Sequence, residues 1–395
     1  MSGSAPPAAG RALRVGFVAG EHSGDQLGAA LIGALRARVT RLECFGVAGP
    51  RMRAAGCEAW AASEELAVMG LAEVLAHLPR LLRLRRRLRK RLLATRPDVF
   101  VGIDAPEFNL RLMRDLRRAG IPTVQYVSPQ VWAWRPGRVR GIGTACNLVL
   151  CLLPFETEFY ARQGVAARFV GHPLADQIPL QIDRAAARRA LGLPENGEVI
   201  ALLPGSRLGE VSRLAAPFAA AAAELARSRP ALRFIAPLAS RATAEAFAKE
   251  ALQVPGVPAI QRLDGQAQTA LAACDAALVA SGTATLEALL TGRPMVVAYR
   301  VSALTAFLVR TLRLVKVRYF SQPNLLAGRA LVPEFIQDQV QGAKLAQALL
   351  AELEDRPRIE AMLEEFAAIH RRLRCDGAAR AAEAVLSCTA DAARG

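Results

Sequence analysis

Short apolar runs recur along the chain, and each ends in a polar, glycine-bearing loop that leads into a longer stretch with helical spacing. In the first half the runs are Leu13–Ala19, Val99–Ile103, Thr123–Val127 and Leu148–Leu152. In the second they are Val199–Leu203, Arg233–Ala236, Ala276–Ala280 and Met295–Ala298. Most are apolar nearly throughout instead of alternating with polar residues, as a strand with one wet face would, so these are strands covered on both sides. Buried strands alternating with helices, such as the one expected over Gln26–Arg38, predict α/β architecture with parallel, doubly wound sheets. The grammar restarts at Val199, which predicts two such domains, 1–172 and 173–340. The stretch Gly171-His-Pro-Leu-Ala-Asp176 serves as the linker. Beyond Pro333 the pattern is helical, with Asp338–Leu353 and Arg358–Arg374 as expected helices in a terminal segment, 341–395. Two doubly wound domains facing each other place ligands at the carboxyl ends of their strands, in the cleft they share.

Composition narrows the partners. The 395 residues suffice for two full cores. Lys plus Arg outnumber Asp plus Glu by 51 to 35, a net +16 that favours anionic partners. Nucleic acid is not expected, because aromatic residues are only 5% and do not interleave with the basic ones as stacking platforms require. Although 52% of residues are hydrophobic, no unbroken apolar run reaches the roughly 20 residues of a spanning helix. The first ten residues lack the pattern of a signal peptide, so a cytoplasmic protein is expected. The seven cysteines are scattered without C-x-x-C pairs, and read as small hydrophobes rather than disulfides or zinc ligands.

The polar loops carry the candidate chemistry. Asp275-Ala-Ala-Leu-Val-Ala-Ser-Gly-Thr-Ala-Thr-Leu-Glu287 reads as a strand, a tight Ser281-Gly282-Thr283 turn, and a helix opening at Ala284. Amides at a helix N-terminus suit a phosphate, and Glu287 could take the hydroxyls of a ribose; a simple capping motif would look the same. Leu203-Pro-Gly-Ser-Arg207 offers a second turn and a guanidinium that fits phosphate oxygens. No D-x-D is present, so no metal-held diphosphate is indicated. In the first half, Asp104 leaves an apolar strand in Gly102-Ile-Asp-Ala-Pro106, where it could serve as general base or as a helix cap. Glu21, Ser23 and Asp25, in the expected loop Gly20-Glu-His-Ser-Gly-Asp25, compete for catalytic or binding duty. His172 is a structural or a functional histidine. The loop Val127-Ser-Pro-Gln-Val-Trp-Ala-Trp134 could cover a sugar, meet a membrane, or fill the core.

The stretch Leu66–Leu93 differs from the rest. Val68, Met69 and Leu71 make its start apolar; leucines 78, 81, 82, 88 and 92 then share a helical face while Arg83, Arg86 and their neighbours fill the other. Such a helix lies on an anionic membrane or covers a sheet with its arginines in water.

Together these loops resemble the lipid-A-disaccharide synthases, glycosyltransferases of the GT-B type. The likeness runs in order through Gly20-Glu-His-Ser-Gly-Asp-Gln-Leu-Gly28, Gly46-Val-Ala-Gly-Pro-Arg-Met52, Val68-Met-Gly-Leu71, Gly102-Ile-Asp-Ala-Pro106, Tyr126-Val-Ser-Pro-Gln-Val-Trp-Ala-Trp134, Leu153-Pro-Phe-Glu156, Val170-Gly-His-Pro-Leu174, Leu203-Pro-Gly-Ser-Arg207, Ser281-Gly-Thr-Ala-Thr-Leu-Glu287 and Pro323-Asn-Leu-Leu-Ala-Gly328. His22 stands where the family's pattern has alanine. The resemblance implies metal-independent, inverting transfer from UDP-2,3-diacylglucosamine to 2,3-diacylglucosamine 1-phosphate. No cofactor is expected, since the UDP-sugar is a substrate. It implies UDP contacts from Arg207, Ser281, Gly282, Thr283, Glu287 and Asn324, and Asp104 as base, with Glu21 and Asp25 as alternatives. It further implies peripheral binding to the cytoplasmic face of the inner membrane. The terminal helices are expected to return to the first domain or swap into a homodimer. Two rival readings are a UDP-sugar 2-epimerase of the same fold and a basic membrane- or RNA-binding scaffold without catalysis.

Overall fold

A computed structural model describes residues 11–20, 22–66, 71–134, 136–302 and 318–392, with the backbone alone for 71–77, 133, 134, 136, 391 and 392. The chain forms two compact units, Met1–Asp176 with Leu373–Gly395, and Gln177–Arg372.

Unit 1 contains β1 (Leu13–Ala19), β2 (Leu42–Ala48), β3 (Cys57–Ala62), β4 (Val99–Ile103), β5 (Thr123–Tyr126), β6 (Leu148–Cys151) and β7 (Ala167–Phe169). They form one parallel sheet in the order β3-β2-β1-β4-β5-β6-β7. The apolar runs of β1 and β4 bury both faces. Val15, Phe17, Val99 and Val101 meet the helices His22–Arg36 and Gly377–Ala392. Val18 and Phe100 meet Leu71–Thr95, Pro106–Arg118 and Val139–Ala145. β2, β3 and β7 fall outside the apolar runs read from the sequence. β3 and β7 lie at the sheet's edges and are partly exposed, so neither needs an unbroken apolar run.

Asp176 fixes the last helix to this unit. Its Oδ1 accepts the amides of Cys375 and Asp376, both at 3.0 Å, and its Oδ2 accepts that of Gly377 at 2.7 Å. A carboxylate there satisfies orphan donors and complements the positive end of the helix Gly377–Ala392.

Unit 2 contains β8 (Val199–Leu203), β9 (Arg233–Leu238), β10 (Ile260–Asp264), β11 (Ala276–Ala280), β12 (Met295–Tyr299) and β13 (Glu334–Ile336), again parallel, in the order β10-β9-β8-β11-β12-β13. The helices Leu208–Ser228, Arg241–Ala251 and Gly342–Glu354 close one core over Ile200, Leu202, Leu278 and Val296. Toward the start of β8 and β11, the buried Arg188 donates to Asp275 Oδ2 at 2.8 Å, to the Ala273 carbonyl at 3.0 Å and to the Glu195 carbonyl at 2.7 Å. Asp275 thus opens its strand as an interior anchor.

Of the terminal segment 341–395, the helix Gly342–Glu354 packs on Leu208–Ser228 inside unit 2, and Gly377–Ala392 lies in unit 1. In both sheets the order of strands reverses once near the middle, between β1 and β4 and between β8 and β11. Open α/β sheets leave room for ligands beyond the carboxyl ends of their strands at such a reversal.

Candidate active site

At the reversal of unit 1 three strands end side by side, since Ala19 pairs with Ile103 and Ile103 with Tyr126. The residues that follow β1 and β4 therefore converge. The helix His22–Arg36 starts within the expected Gly20–Asp25 loop, so Ser23 and Asp25 belong to its first turn. Ser23 Oγ donates to Asp104 Oδ2 at 3.2 Å. Asp104 is half-buried and takes φ 51°, Ala105 takes φ 39°, and Val127, beyond β5, takes φ 73°. Three non-glycine residues in left-handed backbone, one of them β-branched, store roughly 1–3 kcal/mol each, and such strain gathers at functional sites.

Asp25 does not fit the catalytic part considered for it. It is 1% exposed, and its two oxygens accept the amides of Arg51 at 2.8 Å and Met52 at 3.0 Å. It is an interior cap for the helix Pro50–Ala54, and burial with both oxygens engaged leaves no face for a substrate proton. Glu21 lies outside the described residues.

His172 Nδ1 accepts the Leu174 amide at 3.2 Å, and burial pushes its pKa down to about 4, which favours the neutral imidazole near pH 7. The tryptophan loop is partly interior: Ser128, Pro129 and Val131 are buried, Val127 and Trp132 half-buried and Gln130 exposed, while the side chain of Trp134 lies outside the described residues. Trp132 Nε1 donates to Glu156 at 3.2 Å and its ring meets Phe155 edge-on, while Ser128 Oγ and Tyr160 Oη lie 3.1 Å apart. The Ser-Pro-Gln-Val-Trp and Leu-Pro-Phe-Glu motifs thus form one buried network, in which desolvation raises Glu156 to about 7.

The helix Leu71–Thr95 corrects the leucine face read from the sequence. The buried stripe is Leu84, Leu88 and Leu92, four residues apart; Leu81 and Leu82 are half-buried and Leu78 is 42% exposed. Its carboxyl half covers the sheet, and of its described leucines Leu78 is the exposed one. Arg83 and Arg86 are exposed. Val68 and Met69 lie outside the described residues, as does the side chain of Leu71. Among the described residues no helix is long and apolar enough to cross a membrane.

At the reversal of unit 2, Leu203 pairs with Val279, which brings the Pro204–Arg207 turn beside the Ser281–Thr283 turn. Gly205 at φ 118° and Gly282 at φ 147° hold backbone that other residues rarely adopt. Gly282 and Thr283 are exposed at the start of the helix Thr283–Leu290, which opens one residue before the expected Ala284. Arg207 is largely exposed just before the helix Leu208–Ser228, whose Glu210 accepts the Arg207 amide; the Arg207 guanidinium lies 3.4 Å from Glu210 Oε1. Glu287 is half-buried, and desolvation raises its pKa against a hydrogen bond from Gln268.

Two UDP contacts expected from the sequence are otherwise engaged. Ser281 Oγ donates to the Phe320 carbonyl at 3.1 Å, which leaves the backbone of the turn, not this hydroxyl proton, open to a ligand. Asn324 is 1% exposed and satisfied on every side: Nδ2 donates to Val332 O and Glu334, and Oδ1 accepts the amides of Leu331 and Val332. Asn324 is a brace, since an amide with all its partners buried has nothing left for a nucleotide. Sequence reasoning missed the rest of that brace. Glu334 accepts the Ser321 amide and hydroxyl at 2.8 and 2.6 Å, and Thr285 Oγ1 accepts the Gln322 amide at 3.3 Å. Ser321 before Gln-Pro carried a cap signal; Glu334 carried none.

Two doubly wound units, each with polar turns at its strand reversal, are the setting in which the comparisons with known proteins acquire meaning. The sequence model of the lipid-A-disaccharide synthetase family matches residues 15–385. The chain belongs to this family. A lipid-A-disaccharide synthase of Pseudomonas aeruginosa (strain UCBPP-PA14) is 56% identical over 374 residues, 95% of this chain and 97% of that one. One from Alkalilimnicola ehrlichii is 53% identical over 377 residues, 95% of this chain and 98% of that one. Among solved structures, the UDP-GlcNAc 2-epimerase from Neisseria meningitidis bound to UDP-GlcNAc aligns at TM-score 0.60 and 14% identity, covering 88% of this chain and 93% of that one. The calicheamicin glycosyltransferase CalG4 aligns at 0.59 and 18%, covering 96% and 98%. At such identities the structures share the GT-B fold and nothing finer, so the epimerase likeness carries no activity. The family makes this chain a transferase of lipid A biosynthesis and sets the non-catalytic scaffold aside.

Proposed function

We propose that the enzyme transfers the sugar of UDP-2,3-diacylglucosamine to the 6-hydroxyl of 2,3-diacylglucosamine 1-phosphate. The products are the β-1,6-linked disaccharide 1-phosphate and UDP. Asp104 takes the hydroxyl proton as the oxygen attacks the anomeric carbon. The bond from that carbon to the diphosphate breaks on the opposite face, and UDP leaves with the electron pair, which inverts the anomeric centre. Arg207, the backbone of Gly282 and Thr283, and the positive end of the helix Thr283–Leu290 absorb the charge on UDP. Glu287 takes the ribose hydroxyls. With arginine and amides in these places, and no D-x-D in the sequence, the reaction proceeds without a metal. The exposed leucine and arginines of the helix Leu71–Thr95 rest on the anionic cytoplasmic face of the inner membrane, where both acylated sugars reside.

The observation that carries this reading is the Asp104 carboxylate, raised on left-handed backbone at the β1/β4 reversal with Ser23 Oγ at 3.2 Å. The test is incubation with both acylated sugars and EDTA on anionic vesicles, followed by mass spectrometry. A disaccharide phosphate and UDP in equal amounts, with the enzyme sedimenting with the vesicles, is the expected result. No disaccharide, or release of UDP without an acceptor product, contradicts the proposal.

A further inference from the structure

Two buried carboxamides converge on the backbone of Asp104. Asn109, from the first turns of the helix Pro106–Arg118, is 0% exposed; its Nδ2 donates to the Asp104 carbonyl at 2.8 Å and to the Ile103 carbonyl at 3.4 Å. Gln125, on β5, is also 0% exposed; its Nε2 lies 3.3 Å from the carbonyls of Asp104, Tyr126 and Val127. One backbone carbonyl therefore receives a carboxamide from each neighbouring element, where the chain turns left-handed at Asp104, Ala105 and Val127. The third member is Gly102, the register partner of Gln125. A Cβ on Gly102 would stand 2.9 Å from Asn109 Cγ and 3.1 Å from its Nδ2, so only glycine lets Asn109 lie this close to the strand. Both amides spend their NH2 groups on these carbonyls, while Asn109 Oδ1 and Gln125 Oε1 are buried with no hydrogen-bond partner among the described residues. A fold seeking stability alone favours satisfying such oxygens.

We infer that Asn109 and Gln125, with the space that Gly102 leaves, are positioning residues that aim the Asp104 carboxylate. They clamp the ends of β4 and β5, so the left-handed turn presents Asp104 in one orientation rather than several. This rests on the reading of Asp104 as the general base. A base turned away by a fraction of an ångström loses rate and not binding, and misplacement of about 1 Å can cost on the order of 10²-fold.

The test uses Asn109→Leu, which keeps the branched shape, and Gln125→Leu, which is slightly shorter, both removing the amide, and Gly102→Ala, which alters no polar group. Each is measured as kcat per folded molecule, with KM for both acylated sugars and the Kd of UDP, alone and combined with Asp104→Asn at high enzyme concentration. The expected result is a kcat tenfold or more below the parent in the leucine variants and several-fold below it in Gly102→Ala, with KM and Kd unchanged. In the Asp104→Asn background the same changes cost nothing further, because groups that act through one another are non-additive. The inference is overturned if the variants melt earlier but keep parental kcat in the folded fraction. It is also overturned if their losses add fully to that of Asp104→Asn. Should one variant fail to fold, the other two decide. If Asp104→Asn alone keeps parental kcat, the base reading fails instead, and the two failures are told apart.

Discussion

At the β1/β4 reversal a side-chain carboxylate stands on left-handed backbone, whereas at the β8/β11 reversal the exposed groups are two glycine turns and an arginine. The same topology serves both, and the difference follows from what each must meet. A proton acceptor has to be aimed, and aiming needs a rigid, partly strained support such as the one under Asp104. A diphosphate needs close approach to backbone amides and a cation, and glycine turns open that space with little side-chain machinery. The braces differ accordingly. In unit 1 they converge on the backbone of Asp104, the base of the proposed reaction; in unit 2 the Asn324–Glu334–Ser321 network stiffens a neighbouring helix and leaves Gly282 and Thr283 exposed.

The sharpest way to break this contrast is Arg207→Ala. If Arg207 stabilises departing charge, kcat/KM falls on the order of 10²–10³, as when a transition-state donor is removed, with the melting temperature unchanged. A loss below threefold in steady-state assays moves the leaving-group role elsewhere. The next largest effect separates the two carboxylates of unit 1. Asp25→Asn keeps one acceptor oxygen but sets an NH2 group against the other of the two amides, and should lower stability by about 1–3 kcal/mol in denaturant unfolding. Its kcat per folded molecule should stay near the parent, and a collapse of kcat in folded protein would return Asp25 to the chemistry.

A smaller effect tests the ribose contact. Glu287→Gln should weaken UDP about tenfold by calorimetry, close to the ~1.5 kcal/mol of a hydrogen bond to a charged group. Burial raises the Glu287 pKa, and the ionised form is the acceptor. UDP affinity in the parent therefore rises as pH climbs through that raised pKa, and the Glu287→Gln variant lacks the rise. Equal pH slopes in the two proteins would remove Glu287 from the nucleotide.

Much of this was legible in the sequence for physical reasons. The central strands β1, β4, β8 and β11 are buried on both faces, so each left an apolar run that marked it and the loop beyond it. Asp104, Arg207 and the Ser281 turn were found because they follow such runs. The edge strands β3, β7, β10 and β13 left no such mark, and β2 beside β3 was missed as well. Asp25 and Asn324 were misjudged because a polar residue in a motif looks the same whether it faces a ligand or caps a distant backbone. That distinction depends on partners such as Met52 and Val332, which lie 27 and 8 residues away. Glu334, Asn109 and Gln125 escaped notice for the same reason: their partners, main-chain groups for Asn109 and Gln125 and both main-chain and side-chain groups for Glu334, are not placed by sequence.

The most direct measurement is the single-turnover rate of Asp104→Asn with both acylated sugars, alongside its UDP affinity. The account predicts a rate lower by at least about 10², the usual loss on removing a general base, with parental UDP affinity and melting temperature. A folded Asp104→Asn enzyme that turns over at the parental rate would contradict it.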